Sequence, residues 1–191
     1  MADKRITPSP ISLLPLSLEH HAAALQQVYR ATPGYWQMYG LPSSPAGQAE
    51  HDLREAAEMP DRYLLGIVRR LVADDPQAGG ELIGLVDFRL HWPRPKTVYL
   101  GMIMVAEPYQ RQGIGTQAWL LLRPWLVETA HMSRARVGVA QFNIPALKFF
   151  QSLGFTLTGE SNRIRSGTKW VRLLYMEQAL EEESGGESGG L

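Results

Sequence analysis

Residues 110–116, which read Gln-Arg-Gln-Gly-Ile-Gly-Thr, form the pattern with the clearest chemical meaning in this sequence. They lie between an apolar run with strand character, residues 98–105, and a leucine-rich segment with helical character, residues 116–130. Glycine lets the backbone approach a ligand closely, and the unpaired N–H groups in the first turn of a helix attract anions. Arg111 adds a positive charge beside them. The pattern predicts a phosphate-binding turn, which we interpret as the pyrophosphate site of a coenzyme.

A second pattern lies about thirty residues further along the chain and reads Asn143-x-x-Ala146-x-x-Phe149-Phe150-x-x-x-Gly154-Phe155. It has the signals of a helix that begins behind an asparagine cap and ends at a glycine. Both patterns follow strands that read as a β-meander, and in this order they resemble the two motifs of the GCN5-related N-acetyltransferase (GNAT) superfamily. The resemblance covers residues 13–178. Residues 13–25 also resemble, more distantly, the start of the subgroup that acetylates ribosomal-protein N-termini.

The resemblance implies an α/β (α+β) fold, with one mixed, mostly antiparallel sheet of six to seven strands and helices on both faces. It also implies acetyl-CoA as co-substrate, with transfer of the acetyl group to a primary amine by direct attack in a ternary complex. A bulge near Met104 and Val105 would part the central strand from its neighbour, so that free backbone groups pair with the pantetheine arm and polarise the thioester carbonyl. The coenzyme-binding residues that it implies are Ile103, Met104, Val105, Gln110, Arg111, Gln112, Gly113, Ile114, Gly115, Thr116, Asn143, Phe149 and Phe150.

Two positions depart from the proton-transfer residues that are usual in the family. Many members carry a glutamate base on the central strand, fourteen residues before the first motif glycine, and Tyr99 stands there in this chain. A tyrosine with a pKa of about 10 is a poor base at neutral pH. Many members also carry a tyrosine acid in the second motif, where this chain has Phe150, which has no proton to donate.

The base can come instead from the neighbouring strand, where Asp87 and His91 are best placed, or from Glu107 beside the turn. Asp87, Tyr99 and His91 are therefore the candidate catalytic residues. Plainer interpretations are an Asp87 that faces solvent or bonds to Arg89, a His91 at the surface, and a Tyr99 that packs as a core or pocket-wall aromatic.

Two alternatives require no dedicated base. The acceptor can be an α-amine, which has a pKa of about 8 and loses its proton readily. The protein can also be an acyl-CoA-binding or regulatory protein with little catalysis. A nucleotide-binding module is disfavoured, because no lysine follows the glycines of the turn.

Residues 32–48 form a predicted loop with several aromatic side chains. Loops favour small polar residues, so Tyr35, Trp36 and Tyr39 either fold back as a lid on the core or line a substrate pocket. We take these three as candidate substrate-binding residues. A basic loop predicted at residues 162–169 flanks the same side. The expected acceptor is a small-molecule amine or a peptide N-terminus, and the family's frequent pairing of last strands across two chains allows a homodimer.

The composition narrows the classes of partner. The 191 residues suit one domain, and 19 lysines and arginines balance 19 aspartates and glutamates, which disfavours a nucleic-acid or membrane-surface partner. The chain has no cysteine, and its histidines lack the spacing of a metal site, so we expect no metal. No apolar run approaches the roughly 20 residues that span a bilayer, and no signal peptide is evident. We expect a soluble, cytoplasmic protein.

The elements that position these residues follow the order β-α-α-β-β-β-α-β-α-β-β. Pro124 predicts a kink or an early end in the long helix at residues 116–130, and a turn is expected at residues 74–81. We expect a loosely ordered segment at residues 1–10, one acetyltransferase domain at residues 11–180 and a low-complexity tail at residues 181–191. The remaining predicted elements are strands at residues 11–16, 63–72, 81–90, 136–140, 155–159 and 170–177, and helices at residues 18–30, 49–59 and 146–153.

Overall fold

The computed structural model describes residues 11–70, 80–166 and 169–180 of the chain. The predicted N-terminal segment, the tail at residues 181–191 and most of the turn at residues 74–81 lie outside these ranges. The described elements are, in chain order, β1 (Ile11–Pro15), α1 (Leu18–Arg30), α2 (Pro33–Met38), α3 (Gln48–Glu58), β2 (Arg62–Arg70), β3 (Gly80–Arg89), β4 (Thr97–Val105), a 3-10 turn (Glu107–Tyr109), α4 (Ile114–Glu128), β5 (Arg134–Ala140), α5 (Ile144–Ser152), β6 (Thr156–Ser166) and β7 (Lys169–Ala179).

The strands form one seven-stranded sheet in the spatial order β1-β2-β3-β4-β5-β7-β6. Every neighbouring pair is antiparallel except β4 and β5, which run parallel. A parallel pair needs a crossover connection, and α4 provides it. The predicted mixed, mostly antiparallel sheet is confirmed.

Helices cover both faces of this sheet, as predicted. On one face α4 and α5 pack on the strands around Trp119, Leu122 and Phe155, which are buried. On the other face α1 and α3 pack around Leu25 and Leu53. Each helix turns its apolar stripe to the sheet, which is the reason for the helical spacing of these residues. None of the described helices is long and apolar enough to cross a bilayer.

The parallel strands β4 and β5 separate halfway along their length. They pair only from Thr97 with Arg134 to Leu100 with Val137. Gly101 is an extra residue on β4, because Asp87 pairs with Met102 while the next residue of β3 pairs with Leu100. The expected bulge near Met104 was therefore placed three residues too late. Glycine suits the position, since a Cβ atom there would lie 3.2 Å from Oδ2 of Asp87.

Three local predictions differ from the structure. Residues 33–38 form the helix α2 rather than a loop, because Pro33 suits a first helical turn and Trp36 becomes buried. The predicted basic loop is largely strand, since β6 and β7 pair as far as their last described residues. The early end that was one of the two outcomes expected at Pro124 does not occur, because α4 continues to Glu128.

Candidate functional site

A cavity of about 990 Å³ opens where β4 and β5 separate. Its floor is formed by the ends of these two strands, and its walls by α2, by the turn before α4 and by the first turn of α5. Most of the residues predicted for the site line it, namely Tyr35, Tyr39, Ile103, Met104, Val105, Gln110, Arg111, Gly113, Ile114, Gly115, Thr116, Asn143, Phe149 and Phe150. Two distant sequence motifs and the aromatic segment therefore meet at one site.

The turn before α4 has the backbone of an anion cradle. Arg111 and Gly113 both adopt left-handed conformations, with φ of 63° and 77°, and Gly113 is the N-cap of α4. The amide of Gln117 is the first to bond within the helix, to the carbonyl of Gly113 at 2.9 Å. The preceding amides of the first turn, at residues 114–116, therefore have no intrahelical acceptor and are free to bind an anion.

Gly115 lets α4 and α5 pack closely in this helical turn. A Cβ atom at position 115 would lie 3.2 Å from the ring of Phe149 on α5, closer than most side chains pack. Gly113 has open space around it, and its positive φ is what favours glycine there. The two glycines thus serve different purposes, one for conformation and one for close packing.

The two glutamines of the turn hold it in place. The Gln110 amide donates to the Glu107 carbonyl at 3.1 Å, and its side chain donates to the Val105 carbonyl at 2.7 Å. The Gln112 side chain donates to the Pro108 carbonyl and does not line the cavity. We predicted that the amides of residues 110–116 bind an anion. The Gln110 amide already donates to the Glu107 carbonyl, whereas the amides of residues 114–116 have no acceptor within the helix.

The exposed edge of β4 offers backbone groups to the cavity. The Ala106 amide donates to the Ile83 carbonyl across the β3 side, and the Val105 carbonyl faces the turn, where it accepts from Gln110. Because backbone groups alternate between the two edges of a strand, those of Ile103 point to the side that β5 has left. This edge is the place where an extended ligand can add itself to the sheet.

The second motif forms the far wall. The Oδ1 atom of Asn143 accepts from the Ala146 amide at 3.1 Å, so this residue caps α5 while it also lines the cavity. Phe150 is 6% exposed and packs against Phe149 and Phe155, with ring centroids 5.1 and 5.3 Å away. No hydroxyl group stands at position 150, where the family often has one.

Helix α2 and Tyr39, the residue directly after it, form another wall of the cavity. Tyr35 and Tyr39 line the cavity, whereas Trp36 turns into the core and donates from Nε1 to the Tyr29 carbonyl at 2.8 Å. Burial raises the pKa of both cavity tyrosines, so their hydroxyls stay protonated at neutral pH. Glu107 ties this wall to the turn before α4, because its Oε1 accepts from the Gly34 amide at 2.7 Å.

Asp87 lies just behind the bulge on the α2 side of the sheet. Both its carboxylate oxygens accept from Arg62, at 3.1 and 2.8 Å, and Arg62 also pairs with Glu55 at 3.1 Å. The plainer interpretations of the sequence were an Asp87 that faces solvent or bonds to Arg89, whereas its observed partner is Arg62. Asp87 is not itself a lining residue, but Gly101, which separates it from the cavity, is one. Gly101 therefore lies between the Asp87 carboxylate and the cavity.

Tyr99 and His91 occupy different surroundings. A Cβ atom at Gly138, a cavity residue, would lie 2.7 Å from the hydroxyl of Tyr99, so this hydroxyl borders the β5 side of the floor. Burial raises the pKa of Tyr99, and nearby Tyr175 raises it further. His91 sits in the turn between β3 and β4 with φ of 55°, where its Nδ1 accepts from the Lys96 amide at 3.3 Å, and it does not line the cavity.

Some residues that shape the site were not among those predicted from the sequence. Gly101 and Gly138 lie inside strands, where glycine often marks a close approach, and that signal was available. The partnership of Arg62 with Asp87 joins positions 25 residues apart and has no local signal.

One group of side chains with metal-binding character was also missed. His51, Asp52 and Glu55 bring ligand atoms within 4.8 Å of one another on α3. Asp52 accepts hydrogen bonds from Tyr29 and Gln48, and His51 pairs with Glu55 at 3.4 Å. None of the three lines the cavity, and their contacts with one another and with neighbouring side chains account for the cluster.

This chain is similar to known acetyltransferases. A model of the Acetyltransferase (GNAT) family matches residues 25–155. Mouse (Mus musculus) alpha/beta-tubulin-N-acetyltransferase 9 is 38% identical over 61 residues, which are 31% of this chain and 25% of that protein. An N-acetyltransferase 9-like protein of Nematostella vectensis is 34% identical over 67 residues, or 35% and 34% of the two chains. The matched stretches thus span about a quarter to a third of these curated relatives.

A solved structure shows the same fold over nearly the whole chain. The crystal structure of an acetyltransferase from Thermus thermophilus has a TM-score of 0.67 and 22% sequence identity, and the match covers 88% of this chain and 96% of that one. At this identity the likeness concerns the fold.

Proposed function

This chain belongs to the acetyltransferase (GNAT) family, and on that premise we propose that it transfers an acetyl group from acetyl-CoA to a primary amine by direct attack. The observation that carries the proposal is the free first turn of α4 beside the open edge of β4 in a single cavity. The turn suits a pyrophosphate, and the strand edge suits an amide-bearing arm such as pantetheine. No other site in the described residues combines both features.

The residues of the coenzyme side fit this ligand. The amides at residues 114–116 and the charge of Arg111 would hold the pyrophosphate, while Ile103 would offer backbone groups to the arm. Bound acetyl-CoA supplies an acyl thioester as the electrophile. The Ile103 amide, which points into the gap, is the donor best placed to polarise its carbonyl.

The acceptor side would bind and deprotonate the amine. Asp87 is the carboxylate beside the bulge, and two hydrogen bonds from Arg62 hold it next to Gly101. It can accept a proton through a water molecule, or stabilise the ammonium group before it loses its proton. Tyr99, with its raised pKa, acts as a wall rather than a base. An α-amine, with a pKa of about 8, places the smallest demand on such a site.

The leaving group also needs little help from the chain. Phe150 stands where a tyrosine acid is common in the family, and the rings of Phe149 and Phe155 enclose it. A thiol has a pKa of about 8.5, so a thiolate leaves and takes a proton from solvent near neutral pH. Direct transfer therefore remains chemically sound without an acid at this position.

One observation favours a second candidate, an acyl-CoA-binding or regulatory protein with little catalysis. Asp87 is clamped by Arg62 and Phe150 is inert, so the proton-transfer groups are weak while the coenzyme side is complete. Acetyl-CoA-dependent release of free thiol, measured with a panel of amines and peptides, separates the two. We expect turnover above background with α-amines. Tight CoA binding without turnover on any amine would favour the second candidate, and absence of CoA binding would reject both.

A further inference from the structure

A second cavity, of about 640 Å³, lies beside the first and has no role in the function proposed above. We call it the arginine pocket, and its lining residues are Gln141, Phe142, Arg163, Trp170, Val171 and Arg172. Phe142 directly precedes Asn143 of the large cavity, and its ring centroid lies 5.7 Å from that of Tyr39, which lines the large cavity. One pair of aromatic rings therefore separates the two cavities.

The arginine pocket is attached firmly to the sheet. The Gln141 amide donates to the Arg172 carbonyl at 2.9 Å, which fastens the start of β7 to the junction between β5 and α5. Val171 is 5% exposed and anchors the same strand in the fold. The pocket therefore keeps a fixed position relative to the large cavity.

Two like charges face each other in this pocket. Arg163 on β6 and Arg172 on β7 are direct cross-strand partners. Like charges in this arrangement destabilise a sheet unless something neutralises them. Within residues 11–70, 80–166 and 169–180, no carboxylate forms an ion pair with either guanidinium. The Nε atom of Arg172 donates to Ser161 Oγ at 3.1 Å, which orients the side chain and leaves its terminal nitrogens available.

The other end of the hairpin shows the opposite arrangement. Glu177 of β7 pairs with Arg94, Arg134 and Arg136 at 2.6 to 3.3 Å, and Arg136 also pairs with Glu160 of β6. Arginines on the same sheet are thus supplied with acidic partners at that end. The unpartnered pair at the pocket end is a local feature, and an anion from outside the described chain would complete it.

Aromatic surface accompanies the charge. Trp170 is 70% exposed and Phe142 is 47% exposed, and both line the arginine pocket. Exposed tryptophan beside arginine is a combination typical of binding surfaces, since the ring supplies contact area and the guanidinium supplies directed hydrogen bonds. A ligand with a carboxylate on a short apolar stem matches this lining.

We propose that the arginine pocket binds a side-chain carboxylate of the acceptor, which makes the acceptor an acidic peptide whose N-terminal amine enters the large cavity. This inference rests on the proposed function. An extended peptide advances about 3.3 to 3.6 Å per residue, and because the two cavities are neighbours across the Tyr39–Phe142 pair we assign the carboxylate to its second or third side chain. Arg163 and Arg172 bind the carboxylate, and Trp170 covers its stem.

The first test compares two short peptides that are identical except for glutamate or glutamine at the second and third positions. We expect a kcat/KM about tenfold higher for the glutamate peptide, expressed mainly in KM, as suits an open arginine–carboxylate contact. Arg163→Gln and Arg172→Gln should each bring this ratio close to one. Arg54→Gln, which removes an exposed charge from α3 and touches neither cavity, should leave it unchanged. Equal rates for the two peptides with the wild type, or an equal loss in Arg54→Gln, overturns the proposal.

Binding measurements keep the inference separable from catalysis. The N-acetylated forms of the two peptides cannot react, and their affinities, measured by fluorescence anisotropy, should show the same preference and the same dependence on Arg163 and Arg172. That result supports the pocket even if no peptide is acetylated, whereas equal affinities reject it even if acetylation occurs.

The rival occupant is the 3′-phosphate of the coenzyme itself. Calorimetry with CoA and with 3′-dephospho-CoA distinguishes it, because neither affinity should change in Arg163→Gln or Arg172→Gln. If these variants bind CoA more weakly but bind 3′-dephospho-CoA as the wild type does, the pocket belongs to the coenzyme and the proposal is overturned.

Discussion

The two halves of the large cavity are built from different parts of the protein. The coenzyme half uses backbone: the first turn of α4, the open edge of β4 and the close contact of Gly115 with Phe149. The proposed acceptor half uses side chains from separate elements, among them Tyr35 on α2, Tyr39 directly after α2 and Asp87 behind the bulge. A site built from backbone groups requires glycine at a few positions and little else from the sequence. A site built from side chains can exchange those side chains while the fold stays the same. This difference explains why family membership supports a proposal for the coenzyme, whereas the acceptor must be inferred from the side chains of this chain.

The largest expected effect falls on the coenzyme half alone. Gly115→Leu drives a branched side chain into the ring of Phe149 and over the free amides, so we expect CoA affinity to fall at least about 100-fold, the loss of several charge-assisted hydrogen bonds. Calorimetry measures it. Gly115→Ala is the graded control, because its Cβ requires a shift of only a few tenths of an ångström. Equal affinity of Gly115→Leu and the wild type would contradict the placement of the coenzyme.

The second effect falls on the acceptor half. Asp87→Asn removes the carboxylate beside the bulge, and we expect kcat/KM for the amine to fall about 30-fold, within the usual range for a lost proton-transfer group, while CoA affinity stays the same. Arg62→Gln is the matched control, since it breaks the same ion pair but keeps the carboxylate. Both variants should lose about 2 kcal/mol of unfolding free energy in urea titrations, because each removes the charge-assisted hydrogen bonds between two largely buried side chains. An Asp87→Asn enzyme with full activity would remove Asp87 from the chemistry.

The third prediction concerns pH. Burial holds the phenols of Tyr35, Tyr39 and Tyr99 neutral, because their pKa values lie above the ordinary value of 10. The rate should therefore rise with pH as the α-amine loses its proton at about pH 8, and should then stay level to about pH 9.5. A falling limb below pH 9.5 that disappears in Tyr99→Phe would show that a neutral tyrosine takes part in the reaction.

The smallest expected effect is at the boundary between the halves. Phe150→Tyr places a hydroxyl group where many family members have their acid, yet we expect kcat to change less than about twofold at pH 7.5, because a thiolate leaves without help. The rate of thiol release, with thermal unfolding as a control for the crowded ring cluster, measures it. A rise of about tenfold or more would show that the natural chain lacks an acid that its chemistry needs.

The sequence predicted the features that depend on local signals better than those that depend on contacts between distant side chains. The order of elements, the mixed sheet and the two motifs follow from periodicity, glycines and caps, which are local signals. The helix α2 was missed because Trp36 is buried by contacts with Tyr29, which lies outside that segment. The bulge was placed too late because its position depends on Asp87 of the adjacent strand.

Side-chain partnerships between distant positions were the least predictable features. Arg62 with Asp87 and Phe142 with Tyr39 join residues that no local pattern connects. The arginine pair at 163 and 172 depends on the register of β6 with β7, where the sequence suggested a loop. These contacts lie in or beside the proposed acceptor half, so the sequence alone could not describe that part of the molecule.

Hydrogen–deuterium exchange with and without CoA tests the central claim most directly. Among the described residues, the amides at residues 114–116 and at Ile103 have no hydrogen-bond acceptor, so CoA should slow their exchange strongly. The amides of residues 163 and 172 in the arginine pocket should exchange at the same rate in both states. Unchanged exchange at residues 114–116 in the presence of saturating CoA, or protection confined to the arginine pocket, would contradict the assignment of the coenzyme half.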